Sequence, residues 1–127
     1  MKKMILALVA SSVLALANET TVNATMSLMT QGMNQIQAGF LYSNKEDISS
    51  GIKVVENANA IFANVDVSTF IKHNNKIQVT HNINKNVTEN IKALKKAIAV
   101  ENYSDATREY GELTANCIAC HKIVRGW

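Results

Sequence analysis

Five residues near one end of this 127-residue chain, Cys117-Ile118-Ala119-Cys120-His121, hold the side chains best suited to chemistry. They spell C-x-x-C-H, the attachment signature of a c-type haem. Cys117 and Cys120 are the chain's two cysteines. Three residues apart on a helix, they stack one turn above the other, so their thiols can add to the two vinyl groups of a single porphyrin. His121 follows at i+4 from Cys117 and can turn a ring nitrogen to the iron from the same side. The expected cofactor is therefore one haem c, covalent through Cys117 and Cys120, with His121 as a metal ligand.

Two other chemistries use cysteine pairs. A thiol–disulfide centre usually accompanies a βαβ pattern and sits at a helix N-terminus, whereas this pair falls late in a helical stretch. A structural zinc site wants two further strong ligands, and no second cysteine pair exists.

Four segments carry the 3.6-residue period needed to hold such a site. From about Thr20 to Ser43 the apolar positions are Val22, Met26, Met29, Met33, Ile36 and Phe40. From about Glu46 to Val65 they are Ile48, Ile52, Val55, Ala58, Phe62 and Val65. A third stripe between about Asn82 and Val100 uses Ile83, Val87, Ile91, Leu94 and Ile98. The fourth, from Tyr103 onward, uses Tyr103, Ala106, Tyr110, Leu113, Cys117, Cys120 and Val124. No proline and only five glycines interrupt them, which favours long helices over a many-turned β protein.

Short polar links at 44–47 and 101–102, with Ser43 or Asp47 available as a cap, force neighbouring helices to reverse. The stretch from Asp66 to His81 lacks a clean period and reads as a long crossover, with Ser68 opening a short turn. The expected fold is all-α: an antiparallel four-helix bundle, up-down-up-down, with the haem attached near its C-terminal end. Trp127 is expected to cover the end of the last helix.

Residues 1–17 read differently. Lys2 and Lys3 precede a nearly continuous apolar run from Met4 to Leu16, and Ala15-Leu16-Ala17 supplies a small-x-small cleavage pattern. This is the expectation of a signal peptide, a domain at 18–127, and export to the periplasm. The run is short for a bilayer crossing, so no stable membrane insertion is expected after cleavage. Losing Lys2 and Lys3 leaves 11 basic against 10 acidic residues. With two propionates the net charge falls to about −1, which carries no nucleic-acid footprint. Lys92, Lys95 and Lys96 read as a solvated face, able to dock an acidic redox partner protein.

A four-helix bundle ending in C-x-x-C-H resembles the cytochrome c′ family, including its low-spin, methionine-ligated branch. That family typically reads C-x-A-C-H-x-x-Y-R, and here Ala119 and Arg125 keep the pattern while Val124 replaces the Tyr. The likeness spans the domain as architecture, but only this segment and parts of the first helix as sequence. It implies His121 as proximal ligand and Arg125 close to the haem and to that imidazole. It also implies that the first helix supplies the other side of the iron, where an apolar side chain leaves it five-coordinate and a thioether can become the sixth ligand. Leu28-Met29, followed by Gly32 and Gly39, is similar to the family's first-helix pattern and favours Met29, with Met26 and Met33 as alternatives. His73 or His81 would give bis-histidine ligation instead. Relatives are commonly dimers through their first two helices, which makes a homodimer an expectation by resemblance alone.

The function expected is electron carriage, with His121 and Met29 holding iron in both oxidation states. The competing expectation is a five-coordinate haem that binds nitric oxide or carbon monoxide. No carboxylate pair, nucleophile–base arrangement or phosphate loop stands out, so an enzyme is not expected.

Overall fold

A computed structural model describes the backbone of residues 2–126 and the side chains of residues 19–126. It contains four α-helices packed against one another, α1 (Lys2–Leu41), α2 (Lys45–Phe62), α3 (Asn74–Ala99) and α4 (Tyr103–Arg125), with a single 3-10 turn at Val67–Thr69. No strand occurs among the described residues. Backbone helix in α1 begins at Lys2 rather than near Thr20, so it runs through the expected cleavage point. The side chains of residues 1–18, which carry the leader reading, lie outside the described residues, as does Trp127. Among the described residues no helix is long and apolar enough to cross a membrane.

The links α1–α2 and α3–α4 share one design. Each uses a residue with positive φ, Ser43 (55°) or Glu101 (57°), followed by an asparagine N-cap. Asn44 N–H donates back to the Gly39 carbonyl at 2.8 Å and Asn102 N–H to that of Ala97 at 2.9 Å, closing the preceding helix in Schellman fashion. Each asparagine then opens the next helix. Asp47 N–H donates to Asn44 Oδ1 at 3.1 Å, and Asp105 N–H to Asn102 Oδ1 at 3.1 Å. The side chains answer in return, Asn44 Nδ2 to Asp47 and Asn102 Nδ2 to Asp105, at 2.8 and 2.7 Å. The caps are thus asparagines, where the sequence pointed to Ser43 or Asp47, and Asp47 is the reciprocal partner instead.

The expected crossover is shorter than its period suggested. α3 starts at Asn74, eight residues before Asn82, and takes His81 into its first turns, with His73 as its N-cap residue. The buried stripe of α3 does extend back from Ile83, but through Thr80, whose polarity broke the apolar period. Thr80 is nearly inaccessible because its hydroxyl donates to the Lys76 carbonyl at 2.8 Å. The 3-10 turn is capped by Asp66, which accepts from Ser68 N–H.

Packing divides into two apolar clusters. The larger joins Ile36, Ile48, Ile52, Val55, Val87, Ile91, Leu94, Ile98, Ala106 and Leu113 from all four helices. The smaller gathers Phe62, Val65, Val67 and Ile71 around the crossover, with Val22, Met26, Met29, Phe70 and Ile77 against it. Helix α1 lies on α2 almost backbone to backbone. A Cβ on Gly51 would stand 2.7 Å from the Gly32 carbonyl and 2.8 Å from Ile36 N, and one on Gly39 would stand 2.7 Å from Ile48 N. The glycines of α1 therefore serve a helix–helix seam.

We expect Gly51→Ala to lower unfolding free energy by about 1–2 kcal/mol, the overpacking against fixed backbone outweighing the better helix propensity. Gly111→Ala, whose Cβ meets nothing within 4 Å, should raise it by about 0.5–1 kcal/mol. Urea titration of the two variants checks the opposite signs.

Candidate functional site

Helices α1 and α2 form one tightly joined pair and α3 and α4 another, with α2 lying on α3. The second pair is fastened by amide side chains as well as by apolar contact. Asn116 Nδ2 on α4 donates to Asn90 Oδ1 on α3 at 2.8 Å, and Asn90 Nδ2 returns to Glu109 at 3.1 Å. The remaining face, α1 against α4, is closed at one end only. There the Phe40 and Tyr110 rings meet with centroids 5.7 Å apart, and Tyr110 donates its hydroxyl hydrogen to the Met33 carbonyl at 3.3 Å.

Toward the other end the face opens into a crevice. Its walls are Met26 and Met29 from α1, Asn59 and Phe62 from α2, Ile83, Asn84 and Val87 from α3, and Asn116, Cys117, Cys120 and His121 from α4. About 370 Å³ between these atoms is unfilled, counting the open mouth. Burial along α4 reports the same gap. Ala106 and Leu113 are fully buried, yet Cys117, Cys120 and His121, continuing the same stripe, are only half-buried.

Of the expected cofactor-binding residues, all but Arg125 line this crevice. Cys117, Cys120 and His121 share one crevice with Met29 and Met26. Met33 does not join them, because one further turn along α1 carries it to the larger cluster beside Tyr110. His73 and His81 are exposed and take no part in the lining. Arg125 is exposed, one turn beyond His121, and borders a neighbouring cavity with Glu19, Val22, Asn23, Thr69, Phe70 and Val124. Of the cationic face, Lys92 is paired with Glu89 and Lys95 with Glu56, so two of its three lysines are already engaged.

Electrostatics separate this site from a thiol redox centre. Burial pushes the Cys117 thiol up, with Cys120 beside it adding to the effect, and burial raises Cys120 as well. Both lie toward the C-terminal end of α4, where the helix dipole also disfavours a thiolate. A dithiol oxidoreductase needs the reverse, a thiol made acidic. Burial, and secondarily the Arg125 charge, pushes His121 down, so its imidazole is neutral at pH 7 with a ring lone pair to donate. Among the described residues no three His, Cys, Asp or Glu side chains group closely enough to hold a metal ion.

The donor set suits haem c: two thiols one turn apart, a neutral imidazole beside them, and two thioethers on the facing helix. The crevice is narrow, so side chains must yield to a flat macrocycle. Met26 and Met29, unbranched and flexible, are the ones able to do so. The site also contains a residue that periodicity did not single out, Asn59, buried with its Oδ1 unpartnered. The available hint was an amide between Val55 and Phe62 in the apolar stripe of α2.

Compared with family models, curated proteins and solved structures, the chain matches none.

The shifts fix how stability of the thiol form depends on pH. His121 binds a proton less readily folded than unfolded, so stability falls as pH drops below about 6.5, the ordinary imidazole value. The cysteines hold their protons more firmly when folded, so stability falls again as pH climbs past about 8.5, the ordinary thiol value. Urea midpoints measured from pH 5 to 10 should form a plateau between those limits. Replacing both cysteines with alanine should remove the alkaline decline, and His121→Gln the part of the acid decline nearest neutrality.

Proposed function

We propose that the chain is an exported c-type cytochrome that carries single electrons, built as an antiparallel four-helix bundle like the cytochrome c′ family. One observation carries this reading. The C-x-x-C-H residues of α4 and the methionines of α1 line the same crevice, although nearly ninety residues separate Met29 from Cys117. The helix pairing supports the antiparallel arrangement, since Gly39 packs on Ile48 while Gly32 packs on Val55, one index falling as the other rises.

Bound haem would supply a one-electron ferric/ferrous couple. Cys117 and Cys120 would each add S–H across a vinyl C=C bond, sulfur bonding one carbon and hydrogen the other, with nothing released. His121, neutral at pH 7, would give a ring nitrogen to the metal. Met29 would give its thioether from the facing helix, a soft ligand that favours the reduced state over what a second imidazole would allow. Phe62, Ile83 and Val87 give the crevice apolar walls, which would limit reorganisation when charge changes. Arg125 has no ion pair among the described residues and would be free to meet a propionate. The partners are redox proteins in the periplasm, reached after loss of residues 1–17.

Produced in an exporting host with a cytochrome maturation pathway, the mature chain should gain the mass of one haem and keep haem stain on a denaturing gel. A mass equal to its amino acids alone would overturn the reading. The oxidised protein should then show a low-spin spectrum with a sulfur-to-iron charge-transfer band. Met29→Ala should abolish that band and Met33→Ala should retain it. Loss of the band with Met26→Ala alone would move the ligand one turn along α1. A high-spin ferric spectrum in the unaltered protein would replace electron carriage by binding of nitric oxide or carbon monoxide.

A further inference from the structure

Asn59 occupies the crevice wall contributed by α2 and is 5 % exposed. Its Nδ2 donates to Thr88 Oγ1 on α3 at 2.8 Å, and the Thr88 hydroxyl donates to the Asn84 carbonyl at 3.0 Å. The two bonds together assign the direction of this chain. A hydroxyl has one hydrogen, here given to Asn84, so toward Asn59 it can only accept. The amide is thereby locked, with its N–H end on α3 and its carbonyl end left over. That carbonyl oxygen is the one buried side-chain polar atom among the described residues without a hydrogen-bond partner. Such an atom is expensive to bury and rare in a native interior. Phe62, Ile83 and Val87 beside it in the crevice lining carry no donor, and none of Asn84, Asn116 and His121 of that lining donates to it.

We propose that Asn59 sets the reduction potential of this site by fixing the negative end of an amide dipole inside the crevice, and that Thr88 is the positioning residue that keeps it there. The proposal rests on the haem reading above and assigns to the site a tuning group outside its ligands. Ferric haem carries one more positive charge than ferrous haem. In a water-poor crevice a nearby partial negative charge therefore favours the oxidised form and lowers the potential. Asn59 thus opposes the upward pull of a thioether ligand, and the two together place the couple.

The test is a redox titration of the matured holoprotein and three variants, each checked for haem stain and by urea unfolding. Asn59→Leu keeps volume and removes the dipole, so its midpoint potential should shift upward. Thr88→Val frees the amide to turn its N–H into the crevice, so it should shift upward too. Thr88→Ser restores the hydroxyl and should return the potential to that of the parent. A purely structural tie between α2 and α3 would move the urea midpoint of Thr88→Val and leave the potential in place. Haem attached with an unshifted potential in Asn59→Leu would overturn the proposal while leaving the cytochrome reading intact. If Asn59→Leu does not fold, the Thr88→Val and Thr88→Ser pair decides the matter alone. A parent protein without haem would overturn both.

Discussion

Close approach of α1 to α2 is the constraint on which the remaining architecture depends. Gly32, Gly39 and Gly51 have hydrogen where any other residue would place a carbon against backbone. Two helices that near form a unit whose spacing cannot relax. Helix α4 is held comparably to α3, through the apolar stripe and the Asn116–Asn90–Glu109 ladder. With both pairs committed and α2 seated on α3, only the α1–α4 face is left with slack. It is drawn together where Phe40 meets Tyr110, and it stands open where Met26 and Met29 look toward Cys117, Cys120 and His121. The crevice is a product of how the seams are distributed, not of a special loop.

The same distribution explains why the site mixes soft and polar chemistry. Its α4 wall carries the thiols and the imidazole, with burial keeping all three uncharged at neutral pH. Its α1 wall carries thioethers, the side chains best able to reshape themselves around a flat ligand. The α2 and α3 walls are apolar apart from the asparagines, and there a single amide carbonyl, that of Asn59, stands without a partner. Each wall belongs to a different segment of sequence, so the chemistry exists only once all four helices have docked.

Much of this was legible in the residues alone, for identifiable reasons. Stripes such as Ile48-Ile52-Val55 and Ile91-Leu94-Ile98 repeat at helical spacing and are buried as that period requires. Cys117, Cys120 and His121 are local in sequence, so their shared side of α4 follows from spacing. Boundaries were less legible. Thr80 hides its hydroxyl in its own helix, which makes a polar residue behave as a core residue and conceals the start of α3. Asn44 and Asn102 cap through a reciprocal Asn-x-x-Asp pattern that a search for serine or aspartate overlooks. The three methionines are equivalent by period, and only the docked bundle separates Met33 from Met26 and Met29. Asn59 lay furthest from reach, because its meaning depends on a hydroxyl twenty-nine residues away that has already given up its hydrogen.

Division of the apolar interior into two clusters has a kinetic corollary. After Leu113 no side chain of α4 is wholly enclosed, and Cys117, Ala119, Cys120 and Ile123 pack against the larger cluster only in part, so beyond the Asn116–Asn90 tie its last turns are anchored less firmly than the first three. Amide hydrogens there should exchange through local fraying, while those near Leu94 and Leu113 wait for global unfolding. On the haem reading proposed above, a segment that peels away without dissolving the rest could present both sulfurs to an assembly enzyme after the remainder has folded, the scaffold forming first and the graft coming later.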